Sequence, residues 1–252
     1  MIGAAKGRTA VLHDGDDEVT VRFQHSTDIW RDFPELVPGV LFAKGITGDV
    51  SVDDQIARFG ELAAKRLATS SEGELPEIQA WRRAFSKMGL KPTQYRCASE
   101  SLLRRFRKEG ALPRLHPLID LCNAVSIAYA VPVAVFDVSK IAQYVEVRYA
   151  AGDETYLTFS GETEHPPPGE VIFADAEGRA HARRWTNRQS GHSAVREATT
   201  DVLIVAEALH ETAQADIESL MAAITDELSA VWPVTPRSAI LGPSAPRFEF
   251  MK

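Results

Sequence analysis

An α+β fold is predicted for this chain, and three observations predict it. After two extended segments, apolar residues recur at helical spacing as far as Pro132; beyond it they come in short apolar or alternating blocks separated by Gly, Asp and Pro. Helices grouped ahead of strands, rather than alternating with them, argue against repeated βαβ units. Finally, 252 residues with 44% hydrophobic content suffice for one large or two small domains with a real core.

The elements follow in order. Val19 to His25 reads as a strand, and Val40 to Ile46 as a second extended segment bounded by Pro38-Gly39 and Gly48. Between Val52 and Thr69, Ile56, Phe59, Leu62, Ala63 and Leu67 mark a helix for which Ser51 and Asp53 are the expected caps. Glu77 to Met88 closes on Gly89 and Ser99 to Glu109 on Gly110, where helices prefer glycine. Leu115 to Ala130 is a helix stopped by Pro132. Strands are then expected over Tyr144 to Ala150, Thr155 to Phe159, Glu170 to Ala174, Ala180 to Trp185 and Val202 to Ala208. A last amphipathic helix, Asp216 to Val231, carries Ile217, Leu220, Met221, Ile224 and Leu228 on one face. The tail beyond Pro233, with three further prolines, is expected to wander or to pack as an extended arm.

Charge is segregated. From Trp81 to Arg114, Arg82, Arg83, Lys87, Lys91, Arg96, Arg104, Arg105, Arg107, Lys108 and Arg114 are opposed in sequence only by Glu100 and Glu109, although the whole chain carries −7. A local positive field can hold a polyanion while the acidic remainder keeps the protein in solution; the alternative is a solvated helix face. The acidic total, with a pI near 5.6, argues against indiscriminate coating of nucleic acid but allows a docking patch.

The helix that follows is apolar yet holds His116, Asp120 and Asn123 at i, i+4 and i+7, with Ser126 three later, on one side. Because an unpaired buried polar group costs free energy, these four either form a satisfied core network or line a pocket. Phosphate-binding, dinucleotide-binding, zinc-protease and serine-hydrolase motifs are absent from the sequence. Cys97 and Cys122 form no Cys-x-x-Cys pair and read as buried reduced thiols; the seven histidines are scattered, so neither a metal nor a cofactor is expected.

Specific residues carry a resemblance. Trp81-Arg82-Arg83-Ala84-Phe85, Gly89-Leu90-Lys91-Pro92-Thr93, Tyr95-Arg96 and Ser99, Pro117 through Ser126, Val131-Pro132-Val133 with Asp137, Gly169 through Asp175, and Arg183 through Ser190 are similar to the freestanding relatives of the B3/B4 domain. That domain is the editing module of the bacterial phenylalanyl-tRNA synthetase β subunit. The resemblance runs from about Val19 to Trp232, giving a 1–18 extension, a 19–232 module and a 233–252 tail with no synthetase attached. It implies an α+β domain with N-terminal helices and a mixed or antiparallel sheet packed against helices. It further implies hydrolysis, in trans, of a noncognate aminoacyl ester on tRNA. Editing is needed because binding separates near-isosteric amino acids by only about 1–3 kcal/mol per methylene.

Residue by residue, Asp120 and Asn123 match the synthetase's "VDxxN" helix, and Asp137 matches the Asp of its "PLHAFD" turn, whose histidine is replaced by Ala134. The synthetase's "AGxMGG" segment is replaced by the bulkier Arg183 to Arg188, so the pocket is rebuilt and its amino acid is not that of the synthetase by default. The candidate catalytic residues are Asp120, Asn123, Ser126 and Glu170, with hydrogen bonding of a helix and a sheet-edge glutamate as the structural alternatives. Arg83, His116, Ala134, Asp137, Trp185 and Asn187 are the candidates for substrate contact. Lys91, Arg96, Arg104, Arg105, Arg107, Lys108, Arg183, Arg184 and Arg188 are the candidates for tRNA. The expected partner is the aminoacylated 3′ end of tRNA, with possible association with other translation components, in the cytoplasm and away from membranes. The rival readings are a non-catalytic RNA-binding module and a binder of a free amino acid or small metabolite.

Overall fold

A computed structural model describes residues 19–252; the expected 1–18 extension lies outside them. The first half contains β1 (Thr20–His25), α1 (Thr27–Asp32), β2 (Val37–Ala43), α2 (Asp53–Leu67), α3 (Pro76–Lys87), α4 (Ala98–Glu109) and α5 (Pro117–Tyr129). The second contains β3 (Val133–Asp137), β4 (Tyr144–Tyr149), β5 (Tyr156–Leu157), β6 (Thr163–Glu164), β7 (Val171–Asp175), β8 (Ala180–Arg183) and β9 (Arg188–Gln189). It ends with β10 (Val202–Ala208), α6 (Ala213–Val231), β11 (Arg237–Ile240) and β12 (Arg247–Met251). The fold is α+β, as the grouping of helices and strands predicts.

A six-stranded sheet runs β12-β1-β4-β7-β8-β9 and a four-stranded sheet runs β11-β2-β10-β3. Pairing is antiparallel except between β1 and β4, so the larger sheet is mixed. Strand β10, Val-Leu-Ile-Val-Ala-Glu-Ala, is buried at every position, as a central strand covered on both faces must be. Its side chains alternate between two cores. Leu203 and Val205 join Phe23, Trp81, Phe85, Phe136 and Phe173 in the core shared by the two sheets and α3. Ile204 and Ala206 join Leu121, Val125, Ile217, Leu220 and Ile224 beneath α5 and α6. Each large apolar side chain so buried contributes roughly 1.5–3 kcal/mol. Helix α6 approaches β2 so closely that a Cβ on Gly39 would lie 2.5 Å from Met221 Cγ, which is why that strand position is glycine.

Two local expectations change, and a third, the choice between a wandering and a packed extended tail, resolves to the packed form. The stretch after Pro132 is not only a helix stop but begins strand β3, which pairs with β10 through Val133↔Ala206 to Asp137↔Val202. Helix α2 has Val52 at its N-cap with no side-chain cap; Ser51 instead accepts from the backbone N–H of Asp53 at 3.3 Å. The tail does not wander: β11 extends the edge at β2, and β12 pairs with β1, burying Phe250 against Phe42 at 4.3 Å between ring centroids. Gly89 and Gly110 take φ of +76°, as their places at helix ends require.

Candidate functional site

Chain geometry brings a cavity to the junction of the two sheets. Strand β8 is followed by two consecutive residues with left-handed backbone, Arg184 (φ +47°) and Trp185 (φ +57°), a conformation that costs roughly 1–3 kcal/mol each outside glycine. What holds it is burial. Trp185 is fully buried, meets Trp81 and Phe33 edge-on at 5.1 and 4.8 Å, and its backbone N–H donates to Val171 O at 2.7 Å. The turn that follows is tied down by Asn187 Nδ2 donating to Arg96 O (2.8 Å) and Gln189 Nε2 to Val135 O (2.6 Å).

These constraints enclose a cavity of about 60 Å³ whose walls include Ala134, Phe173, Trp185, Asn187, Arg188 and Glu207. Glu207 continues the inward face of β10 after Leu203 and Val205, by the two-residue period of a strand. It is 2% exposed, yet both carboxylate oxygens are engaged: Trp185 Nε1 donates to Oε2 at 2.9 Å, and His25 Nε2 lies 2.6 Å from Oε1. A buried carboxylate is retained only where such donors replace water. The cavity therefore presents a fixed, oriented acceptor in mainly apolar surroundings. Neither Glu207 nor His25 was among the sequence candidates. The available signal was a lone Glu in an apolar strand, on the same parity as two core residues.

Of the sequence candidates, Ala134, Trp185, Asn187 and Arg188 line this cavity. The polar side of α5 is not brought to it. Ser126 donates to Val131 O at 2.6 Å, which closes the end of the helix. His116 is the N-cap of α5, its Nδ1 accepting from Leu118 N–H at 3.2 Å, and burial lowers its pKa. Asp120 accepts from Leu115 N–H at 2.9 Å and borders a separate groove of about 460 Å³ between α2, α4 and α5, while Asn123, half-buried, borders neither space. Asp137 is taken up structurally by Ser139 and by Thr199 Oγ1 at 2.8 Å. Arg83 is exposed on α3, whereas Arg82 beside it turns inward to Glu100 at 2.7 Å. Glu170 holds Arg183 through two bonds of 2.8 and 3.0 Å, and Arg184 stands 3.8 Å from it with its guanidinium over Tyr95. Glu164 bridges Arg183 and Arg188; burial pushes its carboxyl up, but the two guanidiniums hold it below the usual range.

The basic run is largely neutralised, about half of its pairs being made with acids outside it. Arg104 and Arg107 converge on buried Glu72 at 3.0 and 2.8 Å, Arg96 reaches Glu100 at 3.3 Å, Arg105 pairs with Glu109 at 2.9 Å, and Arg114 pairs with Asp53. Lys91, Lys108 and Arg83 make no ion pair among the described residues. Elsewhere Glu77, His210 and Asp216 gather ligand-type atoms within 4.8 Å of one another, but Arg66 pairs with Glu77 and His210 with Asp216, each at 2.6 Å. Among the described residues, no helix is long and apolar enough to cross a membrane.

A family model described as the B3/4 domain matches residues 80–228, more than half of the chain. The chain belongs to the B3/4 domain family. The matched span of this B3/4 protein starts in α3 and ends within α6, and so contains Ala134, the Trp185 turn and Glu207. Similar relatives are phenylalanine–tRNA ligase beta subunits. That of Thiobacillus denitrificans is 31% identical over 105 residues, covering 42% of this chain and 13% of that protein. That of Bradyrhizobium diazoefficiens is 34% identical over 106 residues, with the same coverage of 42% and 13%. The chain thus spans only about an eighth of the length of the curated relatives it matches. Among solved structures, an N-terminal fragment of the phenylalanyl-tRNA synthetase beta subunit from Pyrococcus horikoshii aligns with TM-score 0.47 and 11% identity, covering 92% of this chain and 54% of that one.

Proposed function

We propose that this B3/4 domain hydrolyses the ester between a noncognate amino acid and tRNA, acting in trans as an aminoacyl-tRNA deacylase. The observation that carries the reading is Glu207, a buried carboxylate oriented by Trp185 and His25 inside a cavity walled by Ala134. A cavity of about 60 Å³ exceeds the roughly 10–15 Å³ that a water requires, so a nucleophilic water fits against Glu207 while the aminoacyl group enters from the Asn187–Arg188 side.

In the chemical step, the water oxygen bonds to the ester carbonyl carbon and its proton passes to Glu207. Collapse of the tetrahedral intermediate breaks the bond to the ribose oxygen, which takes the proton back from Glu207 and leaves as the hydroxyl, restoring the carboxylate. General-base help of this kind contributes roughly 10²–10⁴-fold. Ala134 takes the place of the histidine in the similar synthetase turn, so the acid–base work falls to Glu207, with Arg188 and Asn187 at the mouth for the tRNA end. Asp120, Asn123, Ser126 and Glu170 act in this reading through the scaffold: Glu170 fixes Arg183 at the end of β8, and Ser126 fixes the helix that precedes β3. Lys91, Lys108 and Arg83, without an ion pair among the described residues, are the cations most available to phosphate.

The test is release of radiolabelled amino acid from a panel of correctly and incorrectly charged tRNAs. Selective release from one mischarged species, reduced at least about 10²-fold in Glu207→Gln with tRNA binding retained, supports the reading. Salt-sensitive tRNA binding with no release across the panel would replace it with the non-catalytic RNA-binding module.

A further inference from the structure

We infer that the Glu207 cavity restricts the acyl group to amino acids with the smallest side chains, the class of alanine, serine and cysteine. That limit presupposes the deacylase reading above and names the substrate class for it. The cavity has a volume of about 60 Å³. An apolar cavity of roughly 150 Å³ holds a benzene ring of six heavy atoms, so in proportion about two or three heavy atoms fit here. One of those places belongs to the nucleophilic water against Glu207, which leaves about one or two heavy atoms for the side chain. An aromatic ring has no place in it.

A size limit holds only where the walls cannot part, and these walls belong to the rigid frame of the fold. Ala134 of β3 and Val205 of β10 are partners in one hydrogen-bonded ladder, and Glu207 follows Val205 on the same face of its strand. Another wall comes from the larger sheet, where Phe173 of β7 is the register partner of Ala182 of β8. Phe173 is 1% exposed and packs on Phe23 and Phe136, with ring centroids at 6.1 and 5.6 Å. Trp185 completes the enclosure, its buried indole set edge-on against Trp81 and Phe33 and bonded through Nε1 to Glu207. Displacing that indole to admit a larger group would strip a buried carboxylate of a donor. Two sheet ladders and a locked indole bound the space, and close-packed interiors of this kind have no slack that a ring could take up. The room that exists depends on the small side chains of Ala134 and Ala182 and on Val205 beside Ala134. A mainly apolar wall discriminates weakly between side chains of equal size that differ by a hydroxyl, so selection here is by size and not by polarity.

The experiment measures kcat/KM for release of amino acid by the full chain from a common set of tRNAs, charged in turn with alanine, serine, cysteine, valine, leucine, phenylalanine and tyrosine. The best of the three small amino acids should be released at least about tenfold faster than any of the other four. Val205→Ala, which removes two methyl groups beside Ala134, should raise the valine rate relative to the alanine rate at least about tenfold, whereas a variant that was merely destabilised would lose all rates in parallel. Ala134→Gly makes the same test in a smaller step if Val205→Ala does not fold. Release of phenylalanine or tyrosine within about tenfold of the best small amino acid, or an unchanged valine-to-alanine ratio in a folded variant, would overturn the size limit and leave the deacylase reading standing. If no charged tRNA loses its amino acid, the deacylase reading fails, and the cavity is then tested by calorimetric binding of amide-linked, non-hydrolysable 3′-aminoacyl adenosines carrying the same side chains. Affinity for the alanine analogue at least about tenfold above that for the phenylalanine analogue would uphold the limit; equal affinity, or none for any side chain, would overturn it.

Discussion

Asp175 provides the sharpest test of how the large sheet is held. At the end of β7 it is 2% exposed, and its Oδ1 accepts from the backbone N–H groups of Glu177 and Arg179, both at 3.0 Å. Oδ2 accepts from Arg179 Nε at 2.9 Å and Ala142 N–H at 3.2 Å, with His181 Nε2 also at 3.2 Å. In Asp175→Asn, the amide oxygen can keep the Oδ1 contacts, but the new NH₂ group is turned toward Ala142 N–H and the Arg179 guanidinium, donor against donor. Removing one partner of a buried ion pair costs about 3–5 kcal/mol. Because Arg179 is 28% exposed and can recover some hydration, the lower end, about 3 kcal/mol, is expected.

Urea unfolding at pH 7 should show an unchanged slope and a midpoint lower by about 1–3 M, since slopes are ~1–3 kcal/mol per molar urea. A loss under about 1 kcal/mol would refute the account of Asp175 as the hub of the β7–β8 turn. Acid supplies an independent check. Burial pushes this carboxyl up, but the donors from His181 and Arg179 outweigh it and hold it well below the usual carboxylate range. Its stabilisation is therefore complete above about pH 4 and is lost as pH falls through the depressed folded value, so wild type and variant should converge below that point.

Phe250→Ala should cost about 3–5 kcal/mol by urea denaturation, because its ring is 1% exposed and stacked on Phe42; loss of 233–252 should be at least as damaging, since it uncovers the edges at β1 and β2. Burial pushes the Cys97 thiol up to about 11 and the Cys122 thiol up to about 12, so at pH 8 neither should react with a thiol reagent until the chain unfolds. Labelling followed against urea concentration would track unfolding. Charge reversal at Lys91 or Lys108 should weaken tRNA binding and reduce the salt slope by roughly 0.7–0.9 per contact. Paired Arg104→Ala and Arg107→Ala should instead mainly lower stability, since they strand Glu72, whose side chain is 3% exposed; a filter-binding salt titration beside thermal melts separates the two effects.

Several features were legible in the sequence because they depend on neighbours within a turn or two. Helical periodicity placed α2 to α6 within a few residues, glycines at 89 and 110 closed α3 and α4, and short apolar blocks located β4, β7, β8 and β10. The segments from Trp81 to Ser190 identified the B3/4 resemblance by local motifs alone. Other features depend on partners far along the chain, and no local pattern encodes them. Strand β3 and the two tail strands exist because β10, β2 and β1 offer unpaired edges to them. Basic residues that look free between Trp81 and Arg114 lose their availability to Glu72 and Asp53, acids outside that window.

The site divides the same way. The sequence put Ala134, Trp185, Asn187 and Arg188 among the candidates, and the polar residues of α5 beside them. Helical phase could show that His116, Asp120, Asn123 and Ser126 share a side, but not what that side meets. The fold turned it toward caps, solvent and the α2 groove. Glu207 and His25, 182 positions apart, become partners only when β1 and β10 enter adjoining sheets and the left-handed turn at Trp185 closes over them. Local chemistry thus determined the elements and the family. Long-range packing alone decided which polar groups lose water together, and that is the property that makes a site.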